Sequence, residues 1–210
     1  MLDYGKKTYI MGILNVTPDS FSDGGDYTNI DIAVNHAKEM IELGADMIDL
    51  GGESTRPGHK FVSAEEEISR IVPVIKRLKE EINVPISIDT YKSEVAEEAL
   101  KLGVDMVNDV WGLTYDGKMA DVVAKYDGEV CIMHNQEGTD YDKDIMEAIK
   151  EFLQNSIDMA LKAGVKKEKI VLDPGIGFGK TYEQNIEVLN RLGELRDLGY
   201  PILLGTSRKS

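Results

Sequence analysis

The sequence carries a single cysteine, Cys131, in 210 residues, so an internal disulfide is excluded. No group of His and Cys has zinc-ligand spacing, which argues against a structural zinc. Cys131 lies in the apolar run EVCIMH and reads as a buried small hydrophobe. Long apolar runs are also missing: nothing reaches eighteen uncharged residues. Asp3, Lys6 and Lys7 precede the first apolar run, so no leader is expected, and the chain reads as soluble and cytoplasmic. Positive charge is scarce. With 24 Lys and Arg against 38 Asp and Glu, the formal net charge is −14. A nucleic acid or an anionic membrane needs a basic face for counterion release, so neither is an expected partner. An anionic ligand would have to be held by local groups. Linkers and low-complexity segments are absent as well, and 42% hydrophobic content over this length suits one core, read as a single domain over 1–210.

What is present is an alternation of strand-length apolar runs with longer segments of helical period. The strand candidates are 9–16, 46–52, 85–89, 105–110, 129–134, 169–175 and 201–207. Amphipathic segments such as AEEEISRIVPVIKRLKEEI and DIMEAIKEFLQNSIDMALKAG lie between them. Gly44, Gly103, Gly164 and Gly199 stand where left-handed helix caps are expected. The charges of Glu65, Glu66 and Glu67, and of Lys166, Lys167 and Glu168, read as solvated faces. Repeated βα units with fully apolar strands predict an α/β fold, a TIM-type (β/α)8 barrel. The seven candidates leave the eighth βα unit unaccounted for. An open doubly wound sheet is the second choice, because its Gly-rich fingerprint does not follow the first strand.

In such a barrel the chemistry sits at the carboxyl ends of the strands, and these ends are strongly polar. They carry Asn15 and Thr17, Asp49 and Glu53, Asp89, Asn108 and Asp109, His134, Asp173, and finally Arg208, Lys209 and Ser210. One such residue is most simply a cap or a turn closer, the expected role of Asp109 and Asp19. Six polar strand ends together point to a ligand site. Asp89 and Asp173 in one mouth would be costly without a ligand or cation to pair with them. Arg56 and Lys209 offer positive charge, and Asn15, Asn108 and Thr55 offer neutral donors and acceptors, so the mouth suits a polar heterocycle carrying an anionic group. The run GIGFGK (175–180) lacks Walker spacing, and its glycines suggest a tight turn with close backbone approach to a ligand. His134 could face the site or the core. Magnesium held mainly by substrate phosphates would leave no ligand signature.

The segments MGILNVTPDSFSDGG (11–25) and IDLGGESTRPG (48–58) resemble the two signatures of dihydropteroate synthases. The resemblance continues through SIDTYK, VNDVWG, CIMHN, LDPGIGFGK and LLGTSRKS, nearly the whole chain in register. It implies a transferase of folate biosynthesis, a sulfonamide target, that condenses 6-hydroxymethyl-7,8-dihydropterin diphosphate with p-aminobenzoate to give 7,8-dihydropteroate and pyrophosphate. By the same resemblance Asp89, Asn108, Asp173 and Lys209 grip the pterin edge and Met133 lines its face. Asn15 matches the magnesium (Mg2+) and diphosphate ligand, and Thr55 and Arg56 lie near the diphosphate. Thr17, Pro18, Phe21 and Asp23 belong to a first mobile loop and Pro57 to a second, forming with Ser210 the p-aminobenzoate pocket. Asp23, Asp89, Asp173 and Lys209 are the expected catalytic set. The partners are then small molecules, with a homodimer as the expected assembly.

Family members carry an eighth strand with an Arg and His pair at the diphosphate. Its absence from the sequence predicts a C-terminally truncated barrel of weak or no activity. A corrinoid-dependent methyltransferase domain of the same superfamily would share the barrel, but the NVTPDSFSDGG loop favours the synthase. A non-enzymatic pterin-binding remnant is the third reading.

Overall fold

A computed structural model describes residues 2–17, 26–53 and 61–206. Its contacts divide the chain into two compact units, Met1–Asn108 and Asp109–Ser210.

The first unit alternates β1 (Met11–Asn15), α1 (Asp26–Glu42), β2 (Met47–Gly51), α2 (Ala64–Glu81), β3 (Ile86–Asp89), α3 (Ser93–Lys101) and β4 (Met106–Asp109), whose last residue opens the second unit. β1 pairs with β2, β2 with β3 and β3 with β4, all parallel. Because side chains alternate along a strand, pairing in register sorts them into two faces. Leu14, Leu50, Ile88 and Val107 form one row, fully buried. The next row, one residue along each strand, is Asn15, Gly51, Asp89 and Asn108. The apolar face is the one helices cover. Gly12 belongs to it, and a Cβ there would stand 2.9 Å from Met40 Sδ of α1, so its glycine lets that helix sit close.

α2 shows how the sequence writes a helix. Ser63 caps its start by accepting from the Glu66 amide, three acidic residues occupy the first turn where the helix dipole favours them, and Lys79 stands in the last. Its buried stripe is Glu67, Ile71, Val74, Ile75 and Leu78, the spacing of one helical face. Glu67 is therefore not the solvated charge expected from its neighbours.

Its carboxylate meets the Lys92 ammonium at 2.6 Å, and Lys92 also donates to Glu53, just past β2. Glu53 further accepts from the Tyr91 hydroxyl at 3.1 Å and from the Val62 amide at 3.1 Å. All three charged side chains are buried. Burial pushes the Glu67 carboxyl above its ordinary range, against the pull of Lys92. Burial alone would depress Lys92, but its bonds to Glu53 and Glu67 outweigh that and hold it above the usual lysine value. The cluster ties the end of β2, α2 and the start of α3 together. Removing the cation would leave two carboxylates buried without it, so Lys92→Met should cost about 3–5 kcal/mol in urea unfolding, with part of the loss returned on adding Glu67→Gln. A single variant as stable as the parent would show that the cluster carries no such penalty.

The second unit holds α4 (Met119–Lys125), β5 (Glu129–Met133), α5 (Ile145–Ala163), β6 (Ile170–Asp173) and α6 (Tyr182–Asn190). β5 and β6 are parallel, pairing Met133 with Asp173, and every residue of both is buried, Cys131 included, as expected for it. α5 starts on the Asp144 side chain, which accepts from the Met146 and Glu147 amides, and ends on the left-handed Gly164. The seventh strand candidate is reduced to one bridge, Ile202 against Leu172. It is held by Leu172 N–H to Pro201 O at 2.9 Å and Leu203 N–H to Leu172 O at 2.8 Å. Pro201 has no N–H to extend that ladder toward the chain start.

Candidate active site

In the first unit the row of strand ends brings together three residues expected there. A Cβ on Gly51 would stand 3.2 Å from Asn15 Oδ1 and 3.6 Å from Asp89 Oδ2, so these side chains flank the bare Gly51 backbone. Asn108, the fourth member, donates from Nδ2 to Asp49 Oδ2 at 3.1 Å. Asp49 lies two residues before Gly51 on the same face and is 4% exposed. That bond aims the Asn108 amide, turning its carbonyl oxygen away from Asp49. Thr17 follows β1 and is half-buried.

In the second unit Asp173 ends β6 beside Met133, both buried. The Gly175 amide donates to Asp173 Oδ1 at 2.7 Å. Burial raises the Asp173 carboxyl to about 6, against that hydrogen bond and the charge of Lys180. It is thus largely ionised at neutral pH and a strong acceptor for N–H donors. Asp109 closes a turn, as expected: its carboxylate accepts from the Trp111 amide at 2.8 Å and the Leu113 amide at 2.7 Å, and burial lifts it to about 6. The second of these bonds holds Leu113 at a φ of 71°, a conformation costly for a leucine.

His134 belongs to the core. It is 2% exposed, packs edge-on against Phe152 and stacks on Tyr141. Its Nδ1 lies 3.0 Å from the Lys180 ammonium, and burial, then the charge of Lys180, depresses it to about 3. The glycines of GIGFGK serve the fold as well: a Cβ on Gly175, at φ +70°, would fall 1.9 Å from His134 O, and one on Gly179 2.7 Å from Gln136 Cγ. Their close approach is to the chain after β5. Pro18, Phe21, Asp23, Thr55, Arg56, Pro57, Lys209 and Ser210, with the rest of 18–25 and 54–60, lie outside the described residues.

Sequence reasoning missed Lys180 and the Glu53, Lys92 and Glu67 cluster. A signal existed for Glu67, which falls on the apolar stripe four residues before Ile71. None existed for Lys180, whose partners are a side chain and carbonyls of two loops.

A family profile described as pterin binding enzyme matches residues 11–210. The dihydropteroate synthase of Clostridium beijerinckii is 61% identical over 98% of this chain and 76% of its own length. The chain belongs to the dihydropteroate synthase family. A crystal structure of the Clostridium difficile synthase in the presence of pteroic acid matches with a TM-score of 0.97 and 74% identity, over 100% of this chain and 80% of that one. The Xanthomonas albilineans synthase with 4-aminobenzoic acid matches with a TM-score of 0.91 and 43% identity, over 97% of this chain and 74% of that one. With parallel βα units in the described residues, these matches make the fold TIM-type α/β.

The His134 environment sets a pH dependence. Its folded value of about 3 lies below the ordinary 6.5, so between these values the unfolded chain binds a proton that the folded one refuses, and stability falls as pH falls. Asp109 and Asp173 act in the opposite sense from about 6 down to the ordinary 3.8, and a His134 variant retains both carboxylates. His134→Gln should therefore lose about 3 kcal/mol less than the parent between pH 7 and pH 4 in urea unfolding. Parallel profiles would mean that His134 titrates normally in the folded protein.

Proposed function

We infer that the protein is a transferase of folate biosynthesis that condenses 6-hydroxymethyl-7,8-dihydropterin diphosphate with p-aminobenzoate, releasing pyrophosphate. The observation that carries this is family membership at 61% identity to a dihydropteroate synthase across nearly the whole chain. In the reaction the arylamine nitrogen attacks the methylene carbon, the carbon–oxygen bond breaks with its electrons passing to the diphosphate, and the nitrogen then loses a proton. An arylamine is mostly unprotonated at neutral pH, so no strong base is required.

Residue roles are carried over from the family resemblance, and the chemistry of the strand ends agrees with them. As the methylene carbon loses its leaving group, positive charge spreads over the dihydropterin, and a carboxylate accepting a ring N–H stabilises it. Asp89 and Asp173 have this role, Asn108 offers an amide carbonyl, and Met133 an apolar contact for the ring face. The ionisation of Asp173 above about 6 supports its part.

Asn15, Thr55 and Arg56 serve the diphosphate end. The chemistry of Asn15 fits magnesium: a single neutral hard oxygen at a strand end suits an ion bound chiefly by phosphate and water. When bound, that ion would neutralise charge on the departing diphosphate. Thr17, Pro18, Phe21, Asp23, Pro57 and Ser210 belong to the arylamine side, and Lys209 to the pterin. A cytoplasmic location and a homodimer complete the reading. Among the described residues no helix is long and apolar enough to cross a membrane.

Pyrophosphate release that requires both substrates is the expected result of an assay with magnesium. Binding of the dihydropterin with no release would reduce the protein to a pterin-binding remnant. Asp89→Asn and Asp173→Asn each exchange an acceptor oxygen for a donor and should weaken dihydropterin binding by about 1.5–3 kcal/mol, read calorimetrically. Unchanged affinity in either variant would remove that residue from the site.

A further inference from the structure

The Gly-rich run ends in a lysine that the reaction above does not use. Lys180 is 8% exposed, and its ammonium has three acceptors in place: His134 Nδ1 at 3.0 Å, Gly175 O at 2.9 Å and Phe178 O at 3.0 Å. An ammonium has three donors and no acceptor, so the set is complete, and His134 must present an unprotonated Nδ1. None of the three acceptors is an anion. A buried cation satisfied only by neutral groups is costly, and the anion beside it is Asp173.

One residue, Gly175, connects the two through the peptide groups on either side of its Cα. Gly175 N–H donates to Asp173 Oδ1 at 2.7 Å while Gly175 O accepts from Lys180. The same glycine is wedged against the end of β5, since at φ +70° any side chain would collide with His134 O. His134 N–H in turn donates to Asp173 O at 2.9 Å. Asp173, Gly175, Lys180 and His134 thus form a closed circuit of hydrogen bonds joining the ends of β5 and β6. The titratable groups brought to Asp173 by the described elements packed on it are Lys180, from the loop after β6, and His134, from the end of β5. The stretch after Ile202 brings Gly205.

We propose that Lys180 is a positioning residue for Asp173: through Gly175 it fixes the turn that aims the carboxylate, and it supplies buried positive charge that favours the ionised carboxylate as the acceptor for an N–H-rich heterocycle. The inference rests on the reading of Asp173 as a dihydropterin contact. Burial raises the Asp173 carboxyl, and the Gly175 amide, which Lys180 helps to hold, and then the charge of Lys180 itself oppose that; reciprocally, burial lowers Lys180 to about 8 and Asp173 resists the fall. The cation is spent on the carboxylate rather than on a phosphate.

Lys180→Met keeps an unbranched side chain and removes the charge, and Asp173 can be followed by NMR of carboxyl-labelled aspartate. Its midpoint should rise from about 6 by at least one pH unit. Affinity for 6-hydroxymethyl-7,8-dihydropterin at pH 7 should fall about two- to tenfold and recover toward pH 8.5, as expected when a carboxylate must first be deprotonated. An unshifted midpoint, or an equal loss at every pH, overturns the proposal. A shifted midpoint with unchanged affinity supports the coupling and removes Asp173 from the pterin site instead. If Lys180→Met does not fold, Asp173→Asn reports the same coupling from the other side: the Lys180 ammonium, followed by nitrogen NMR, should titrate below about 8, and an unchanged value overturns the proposal.

Discussion

Parallel pairing in register is the constraint on which the first unit depends. Once Leu14, Leu50, Ile88 and Val107 are committed to the face that helices cover, the next residue on each strand has to stand on the other. Those next residues are Asn15, Gly51, Asp89 and Asn108. A slip of one position on any strand would bury an Asp or Asn under helices and put an aliphatic chain at the strand end. The apolar core therefore enforces the polar row, and packing energy that knows nothing of a ligand sets the positions of groups that would bind one. Gly51 adds a second consequence: with no side chain between Asn15 and Asp89, the row leaves bare backbone there for a flat ligand to approach.

The strands, helices and most of this row were legible because each rests on a periodic signal. Asn15, Asp89, Asn108 and Asp173 each close an apolar run, and a strand end is visible in one dimension. The turn made by Asp109 was legible for the same reason, because its partners are the amides two and four residues on. The partnership of Lys92 was not visible, since Glu53 and Glu67 are 39 and 25 residues away. Glu67 was misread because three glutamates in a row look like a wet helix face, although only the last shares the stripe of Ile71 and Ile75. For two of the GIGFGK glycines the structure adds a neighbour that the sequence did not show. Close backbone approach occurs against His134 and Gln136, a contact between loops that no local pattern encodes.

The two buried lysines bear on how a chain of net charge −14 can hold a diphosphate. Lys92 lies between two carboxylates, a group of net negative charge, and Lys180 has spent its donors on the loops around Asp173. Lys92 is already outnumbered by its carboxylates, and Lys180 could meet an anion only by abandoning buried partners, which costs several kcal/mol. The positive charge for a diphosphate must then come from elsewhere. On the proposed reading that charge is Arg56, with Asn15 suited to an ion that arrives with the phosphate itself. The two buried lysines thus serve the carboxylates around them, Lys92 by pairing with Glu53 and Glu67 and Lys180 by holding the turn at Asp173.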